Sequence, residues 1–386
     1  MIFDFIEPVD VSKIDLSIDK LDQNQLGSKI YINTNNHIEN EDNFNMVLLG
    51  VLENRDASVD EATMRMGLNN VRKEFYQLYS HFETPKILDI GNVKMGKTKK
   101  DSHVALEQVL QDLNEKGLTV VVIGGSHEMF YSQYKSFKNS RYDIDVVVVD
   151  AVIDFNSTEE LNSSSHLYHI VTSTPNFLFT LSHLGQQLYY NSPQNIDKIE
   201  ALIFESRRVG QLQQNIFEIE PIIRNADLMS FDLSAVKSAD SPANDKASPN
   251  GLTGVEACQL SRFAGFSNKL HSFGIYEFNP LFDSNNQSAK QISQMIWYFI
   301  EGYTNRKSHD YPAESNKEFT KFFVKQESTS YELVFWKSNY SGKWWMEIPT
   351  KEDGVVKYLP CSYQDYENAM EDELPDNWMK VFRMLN

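Results

Sequence analysis

Short apolar runs alternate with longer amphipathic ones through most of the chain. Seven of the short runs read as strands: NMVLLGVLEN from Asn45, KILDIGNV from Lys86, LTVVVIGGSHE from Leu118, DIDVVVVDAVID from Asp143, IEALIFESR from Ile199, ADLMSFDLS from Ala226 and LHSFGIYEFNP from Leu270. Each closes on Gly, Asn, Asp or Ser chemistry that suits a turn. The stretches EATMRMGLNNVRKEFYQLYSHF, HVALEQVLQDLNEKG, FLFTLSHLGQQLYY and GVEACQLSRFAGF fall between strands and are expected to be helices. Asp101 and Ser102 are candidate N-caps for the second of these, and Gly117 is its candidate C′ residue. Continuous apolar strands separated by helices predict an α/β fold with a mainly parallel sheet covered on both faces. In such a sheet, functional side chains gather at the carboxyl ends of the strands.

The pattern changes after the helix QISQMIWYFIEGY. The polar segment TNRKSHDYPAESNKEF marks a boundary near residues 305 to 315, which divides the chain into an N-terminal extension (1–44), a main domain (45–305) and an aromatic-rich appendage (306–386). In the appendage FTKFFVKQ, YELVFWKS and KWWMEIP read as strands, with turn chemistry at Asn339 to Gly342 joining the last two in a β-hairpin. The acidic YQDYENAMEDELPD and the amphipathic NWMKVFRML follow, which makes this an α+β unit. Its aromatics either pack as core against the main domain or form a patch for a protein partner.

Composition narrows the functional classes. With 41% hydrophobic and 23% charged residues the chain is globular, and 386 residues suffice for one large core and a smaller one. A formal net charge of -18 disfavours nucleic-acid or anionic-membrane partners, because backbone and headgroup phosphates would be repelled. Cys258 and Cys361 form no CxxC, so neither a disulfide framework nor a thiolate metal site is expected, and a reducing cytoplasm is the simplest compartment. MIFDFIEPVDV carries Asp4 and Glu7 and does not read as a signal peptide. No run reaches the roughly 18 apolar residues of a membrane span.

Chemistry gathers where the strands end. GGSHE supplies His127, DAVID supplies Asp150 and Asp154, SFDLS supplies Asp232, and EFNP supplies Glu277. One histidine with three carboxylates suits a hard or borderline divalent cation such as Mn2+. Crowded carboxylates also call for a cation or strong donors to hold them ionised. Taken singly, each aspartate is equally readable as a helix or turn cap.

These motifs in this order resemble the ureohydrolases: arginase, agmatinase and formimidoylglutamase. The likeness spans roughly residues 45 to 305 and includes Gly50 and Val51, GLNNVRKEF and ILDIGNV. The family's GGDHS, DAHxD and SxDxD stand here as GGSHE, DAVID and SFDLS, and Glu277 precedes Asn-Pro as in the family. The resemblance implies a three-layer αβα sandwich with an arginase-like sheet, a homo-oligomer, and a centre of two manganese ions that together activate water against a guanidinium or formimino carbon. One family metal would be held by His127, Asp150, Asp154 and Asp232. The second would share Asp150 and Asp232, but its own ligands fall at Val152 and Ser234. Valine has no lone pair and a serine hydroxyl is a weak neutral ligand, so one Mn2+ at most is expected. The family's Asp and Ser beside the histidine are Ser126 and Glu128, and Glu128 is a candidate replacement ligand.

The resemblance also implies catalytic candidates. Glu277 would grip an amidine cation through charge-assisted hydrogen bonds. His166 and His169, in the loop after DAVID, would handle protons or touch substrate, or else lie at the surface. Asn156 either contacts a substrate carboxylate or caps a turn, and SADSPANDKASPNGLTG matches a site-lining loop. Three readings follow. The chain is a one-metal hydrolase of a small linear amidine, a descendant with weak or lost hydrolysis that binds a ligand or a protein, or a metal-free enzyme of another kind. Glu277 and the complete first-metal set favour the first, Val152, Ser234, Ser126 and the appendage favour the second, and a metal-free enzyme lacks a nucleophile, base and orienter set.

Overall fold

The computed structural model describes residues 2–36, 38, 43–139, 144–202, 205–306, 310–313, 317–327, 331–352 and 354–386. Ten strands among them form one sheet: β1 (Ile6–Glu7), β2 (Tyr31–Ile32), β3 (Met46–Val51), β4 (Ile87–Val93), β5 (Thr119–Ile123), β6 (Ile144–Val149), β7 (Leu178–Gln186), β8 (Glu205–Arg208), β9 (Leu228–Asp232) and β10 (Ser272–Tyr276). Their order is β1-β4-β3-β5-β10-β9-β6-β7-β8, with β2 also on β4. Pairing is parallel except between β1 and β4.

Both faces of the sheet are covered, and side-chain alternation divides the core in two. Val147, Val149, Val121 and Ile123 point to one face, where they meet Leu68 and Phe75 of α1 (Glu61–Tyr76), Leu260 of α8 (Gly254–Phe266) and Met295 and Phe299 of α9 (Gln287–Thr304). Val146, Val148, Val120 and Val122 point to the other, against Leu106 and Val109 of α2 (Lys99–Glu115), Phe130 of α3 (Met129–Lys135) and Leu167 of α4 (His166–Thr172). This is the αβα sandwich, and it explains why these strands are apolar at every position. Each fully buried Val or Leu contributes about 1.5–3 kcal/mol by leaving water.

Several local expectations are corrected. FLFTLSHLGQQLYY is not an α-helix: most of it forms β7, whose backbone pairs with β6 and β8 and whose Gly185 sits at φ +91, and only Leu188–Tyr190 at its end makes a 3-10 turn. Leu, Gln and His there suggest a helix, but pairing on both sides overrides that local preference. IEALIFESR divides between the end of α5 (Pro193–Glu200) and β8, while residues 203–204 lie outside the described residues. β6 begins at Ile144, and Asp143, the expected start, is likewise outside them. α2 is capped by Thr98 in a capping box with Asp101, one turn before the expected caps, and Gly117 follows the helix at φ +71. Residues 307–309 and 314–316, in the segment read as a boundary, are not among the described ones.

The C-terminal part is an antiparallel sheet of four strands, one more than expected: β11 (Phe319–Lys325), β12 (Glu332–Ser338), β13 (Trp344–Pro349) and β14 (Val356–Cys361). VVKYLPC, which carries the fourth, mixes Lys and Pro with apolar residues, and its strand becomes evident only through its pairing with β13. α10 (Tyr363–Met370) and α11 (Asp376–Leu385) close this sheet, with Trp378 stacked on Phe382 at 4.9 Å. Trp336, Trp344, Trp345 and Trp378 are at most 7% exposed, so these rings are core. The unit docks on α7 (Glu220–Arg224): Arg224 donates to the Trp344 carbonyl at 3.1 Å and lies over Trp345.

Candidate metal centre

Four adjacent strands, β5, β10, β9 and β6, deliver the motif residues to one edge. After β5 the chain turns through Gly124 and Gly125 at φ +82 and +86, conformations that only glycine adopts without strain. A Cβ on Gly125 would lie 2.9 Å from the Val51 side chain and 3.0 Å from the Glu53 carbonyl oxygen. This tight passage puts His127 directly over the sheet edge. Asp150 follows β6, Asp232 ends β9, and Glu277 follows β10 at φ +59.

The three aspartates turn one oxygen each toward His127. Its Nδ1 lies 3.2 Å from Asp150 Oδ2, 3.6 Å from Asp154 Oδ2 and 3.2 Å from Asp232 Oδ2. All four residues are at most 3% exposed, and one ligand atom from each can be chosen so that all lie within 4.8 Å of one another. His127 Nδ1 and Asp150 Oδ2 are buried with no hydrogen-bond partner. Orphaned polar atoms this close and this deep fit a cation between them, and a hard divalent ion with oxygen and imidazole ligands answers the donor set. Burial alone would lower the His127 pKa, but Asp150, Asp154 and Asp232 push it well above the usual imidazole value. Burial and the neighbouring Asp154 raise the Asp150 pKa.

The other oxygens are already committed. Asp150 Oδ1 accepts from the Val152 backbone at 2.9 Å and from the Ser234 hydroxyl at 3.1 Å. Asp232 Oδ1 accepts from the Ser234 backbone at 2.6 Å and from the Asn244 side chain at 3.4 Å. Thus the aspartates have a convergent side, facing His127, and a satisfied side, where Val152 and Ser234 stand.

Of the remaining candidates, His166 joins the group and His169 stands apart. His166, at the start of α4, has its ring centroid 4.1 Å from that of His127 and its Nδ1 3.8 Å from Asp154 Oδ2. Burial, and then His127, hold its pKa well below the ordinary value. His169 faces Tyr131 and Tyr168 on another side of the helix. Glu277 Oε1 accepts from the His127 backbone at 2.7 Å, which makes it a positioning group for the loop. Burial and Asp232 push its carboxyl up to about 7. Glu128 turns from the aspartates toward Lys99, 3.6 Å away, and His103, 3.9 Å away. Asn156 accepts from Asn195 at 3.1 Å.

Sequence reasoning missed four contributors. Ser230 lies 3.1 Å from His127 Nε2; with Nδ1 free to take a cation, Nε2–H donates to this hydroxyl. His183, on the strand mistaken for a helix, donates from Nε2 to the Val152 carbonyl at 3.1 Å and braces the DAVID loop. Its position opposite Val148 in a parallel register was the signal that pairing alone reveals. Asn244 and Lys246 come from the loop SADSPANDKASPNGLTG. Asn244 also donates to the Glu277 carbonyl at 3.1 Å. Burial would lower the Lys246 pKa, but Asp154, Glu277, Asp232 and Asp150 together raise it, so this lysine brings positive charge to the acidic centre.

The model of the arginase family matches residues 47–301. The chain belongs to the arginase family. Among its curated relatives, this arginase-family chain is 27% identical to formimidoylglutamase of Staphylococcus carnosus and 24% identical to that of Staphylococcus haemolyticus, each over 248 residues covering 61% of this chain and 78% of the relative. Formiminoglutamase of Trypanosoma cruzi with Mn2+2 shares the fold at a TM-score of 0.63 and 18% identity, over 73% of this chain and 99% of that one. Formimidoylglutamase of Bacillus subtilis does so at 0.64 and 15%, over 73% and 92%. The family match ends before β11, so the four-stranded sheet lies outside it. No helix among the described residues is long and apolar enough to cross a membrane.

Proposed function

We propose that this arginase-family chain binds one divalent cation of the Mn2+ type through His127, Asp150, Asp154 and Asp232, and that its hydrolysis of guanidino or formimino C–N bonds is weak or lost, leaving a ligand- or protein-binding role. One observation carries the reading. The Oδ2 atoms converge on an unpartnered imidazole nitrogen, whereas the Oδ1 atoms that a second ion would need are held by Val152, Ser234 and Asn244. When bound, the ion would act as a Lewis acid and lower the pKa of a water molecule. Around it, Ser230 fixes the His127 ring, Glu277 fixes the backbone from which that ring projects, and His166 closes the Asp154 side. Glu277, whose Oε1 accepts from the His127 backbone, would receive an amidinium on its other oxygen. The Lys246 ammonium, whose pKa is raised by Asp154, Glu277, Asp232 and Asp150 against burial, offsets part of the negative charge.

The deciding experiment is to strip the protein with chelator and titrate Mn2+ by calorimetry. One site per chain is expected. Turnover of formiminoglutamate, arginine and agmatine is expected at or near background, and Val152→His combined with Ser234→Asp is expected to raise the stoichiometry toward two. Absence of Mn2+ binding overturns the reading. Native turnover that disappears with Asp232→Ala would instead establish the alternative, an active one-metal amidine hydrolase.

A further inference from the structure

A second cavity opens at the opposite, amino-terminal edge of the sheet, where the C-terminal sheet meets α7 and α8. Its volume is about 310 Å³, and its walls include Arg224, Phe266, Asp310, Lys343, Trp345 and Tyr358. Asn225 and Lys269, which also line it, precede the first residues of β9 and β10. Strands of five residues therefore separate it from the metal centre by roughly 17 Å.

Two polar atoms of this cavity are buried without a hydrogen-bond partner, and a half-buried lysine lines it with them. Arg224 is 6% exposed; it lies 4.3 Å over the Trp345 ring and donates to Glu220 and to the Trp344 carbonyl, yet its Nη1 has no hydrogen-bond partner. The Lys343 ammonium lies 4.6 Å over Phe266 and makes no ion pair among the described residues. Burial, and then the nearby Arg224, pull its pKa down to about 8, against the opposing carboxylates of Glu220 and Asp310. Asp310 is 5% exposed, and its Oδ1 has no partner. Each of the two unmet buried atoms costs about 1–3 kcal/mol.

The mixture of signs selects the ligand. A simple anion would satisfy Arg224 and Lys343 but be repelled by Asp310, and a simple cation would meet the reverse conflict. A molecule with a carboxylate and an ammonium on the same carbon satisfies both. The volume matches about ten non-hydrogen atoms if each takes the ~30 Å³ of a liquid water. The aromatic walls suit a side chain beyond the charged end. We propose that this pocket binds a free α-amino acid, with its carboxylate on Arg224 and Lys343 and its ammonium on Asp310. The site rests on the C-terminal sheet, which supplies Lys343, Trp345 and Tyr358, and it stands independently of the metal-centre reading.

The test uses the full chain in thermal-shift and calorimetric titrations with L-phenylalanine, L-leucine and L-glutamate, each beside its deaminated acid and its decarboxylated amine, and with inorganic phosphate. At least one amino acid is expected to bind and raise the unfolding midpoint, with its acid and amine counterparts weaker by about tenfold or more. The near-isosteric Asp310→Asn and the half-buried Lys343→Met are each expected to weaken it by about tenfold or more, while Asp232→Ala leaves it unchanged. Failure of every amino acid to bind overturns the proposal, as does binding that Asp232→Ala removes and Asp310→Asn spares. Phosphate binding lost in Lys343→Met but kept in Asp310→Asn also overturns it, in favour of a plain anion site.

Discussion

The two edges of the large sheet bury charge in opposite ways. At the carboxyl edge, carboxylates outnumber cations and crowd around one imidazole; at the amino edge, Arg224, Lys343 and Asp310 face a shared cavity with mixed signs. The first arrangement calls for a small ion with concentrated positive charge, and the second for a larger molecule with both charges. Geometry, more than composition, makes the difference. The aspartates stand at neighbouring strand ends, close enough for one ion, whereas the amino-edge groups come from separate layers with space between them.

The comparison breaks most sharply if the edges can be disabled separately. Asp232→Ala removes a proposed ligand, whose Oδ2 lies 3.2 Å from His127 Nδ1. It is expected to weaken Mn2+ binding by more than about a hundredfold, beyond the loss typical of an outer-shell change, as read by metal analysis after dialysis. The reciprocal experiment is Trp378→Ala. This side chain is 2% exposed in the C-terminal core, and its loss is expected to destabilise that unit by about 3–5 kcal/mol in denaturant unfolding. Mn2+ binding should survive in that variant; its loss would mean that the two edges are not independent.

A smaller effect sharpens the account of the carboxyl edge, where His103 is buried beside Glu128 and its Nε2 has no partner. Burial holds its pKa down to about 4. The unfolded chain, with an ordinary imidazole, therefore takes up a proton first as the pH falls. Stability tied to neutral His103 is present above about pH 6.5 and lost toward pH 4. The advantage of the native chain over His103→Gln should shrink by up to about 3 kcal/mol across that window. Burial pushes Glu128 up to about 7, giving a slope of opposite sign, so the difference between the two chains carries the test. A constant difference in chemical denaturation from pH 7 to 4 would reject the assignment. The smallest effect expected is that of Ser230→Ala, which removes the partner of His127 Nε2 and should weaken Mn2+ affinity by about tenfold in calorimetry.

Much of this molecule is legible in one dimension because a parallel sheet writes itself plainly. Runs such as VVVVD combine β-branched residues with a carboxylate where the strand must stop, and their alternation with helices determined the αβα layering and the edge at which chemistry would gather. GGSHE, DAVID and SFDLS were readable for the same reason, since each motif is local to one strand end. That Val152 and Ser234 stand where the family resemblance implies a histidine and a carboxylate was likewise readable in one dimension. Packing in three dimensions settled what remained. β7 became a strand because β6 and β8 offered hydrogen bonds on both sides, which outweighed its local composition. Glu128 faces Lys99 rather than the aspartates because the chain turns into α3 immediately after His127. Arg224, Asp310 and Lys343 meet although 86 residues separate the first two and 33 the last two by their numbers. No periodicity records such a meeting, because the packing of two separately formed sheets determines which side chains share a cavity.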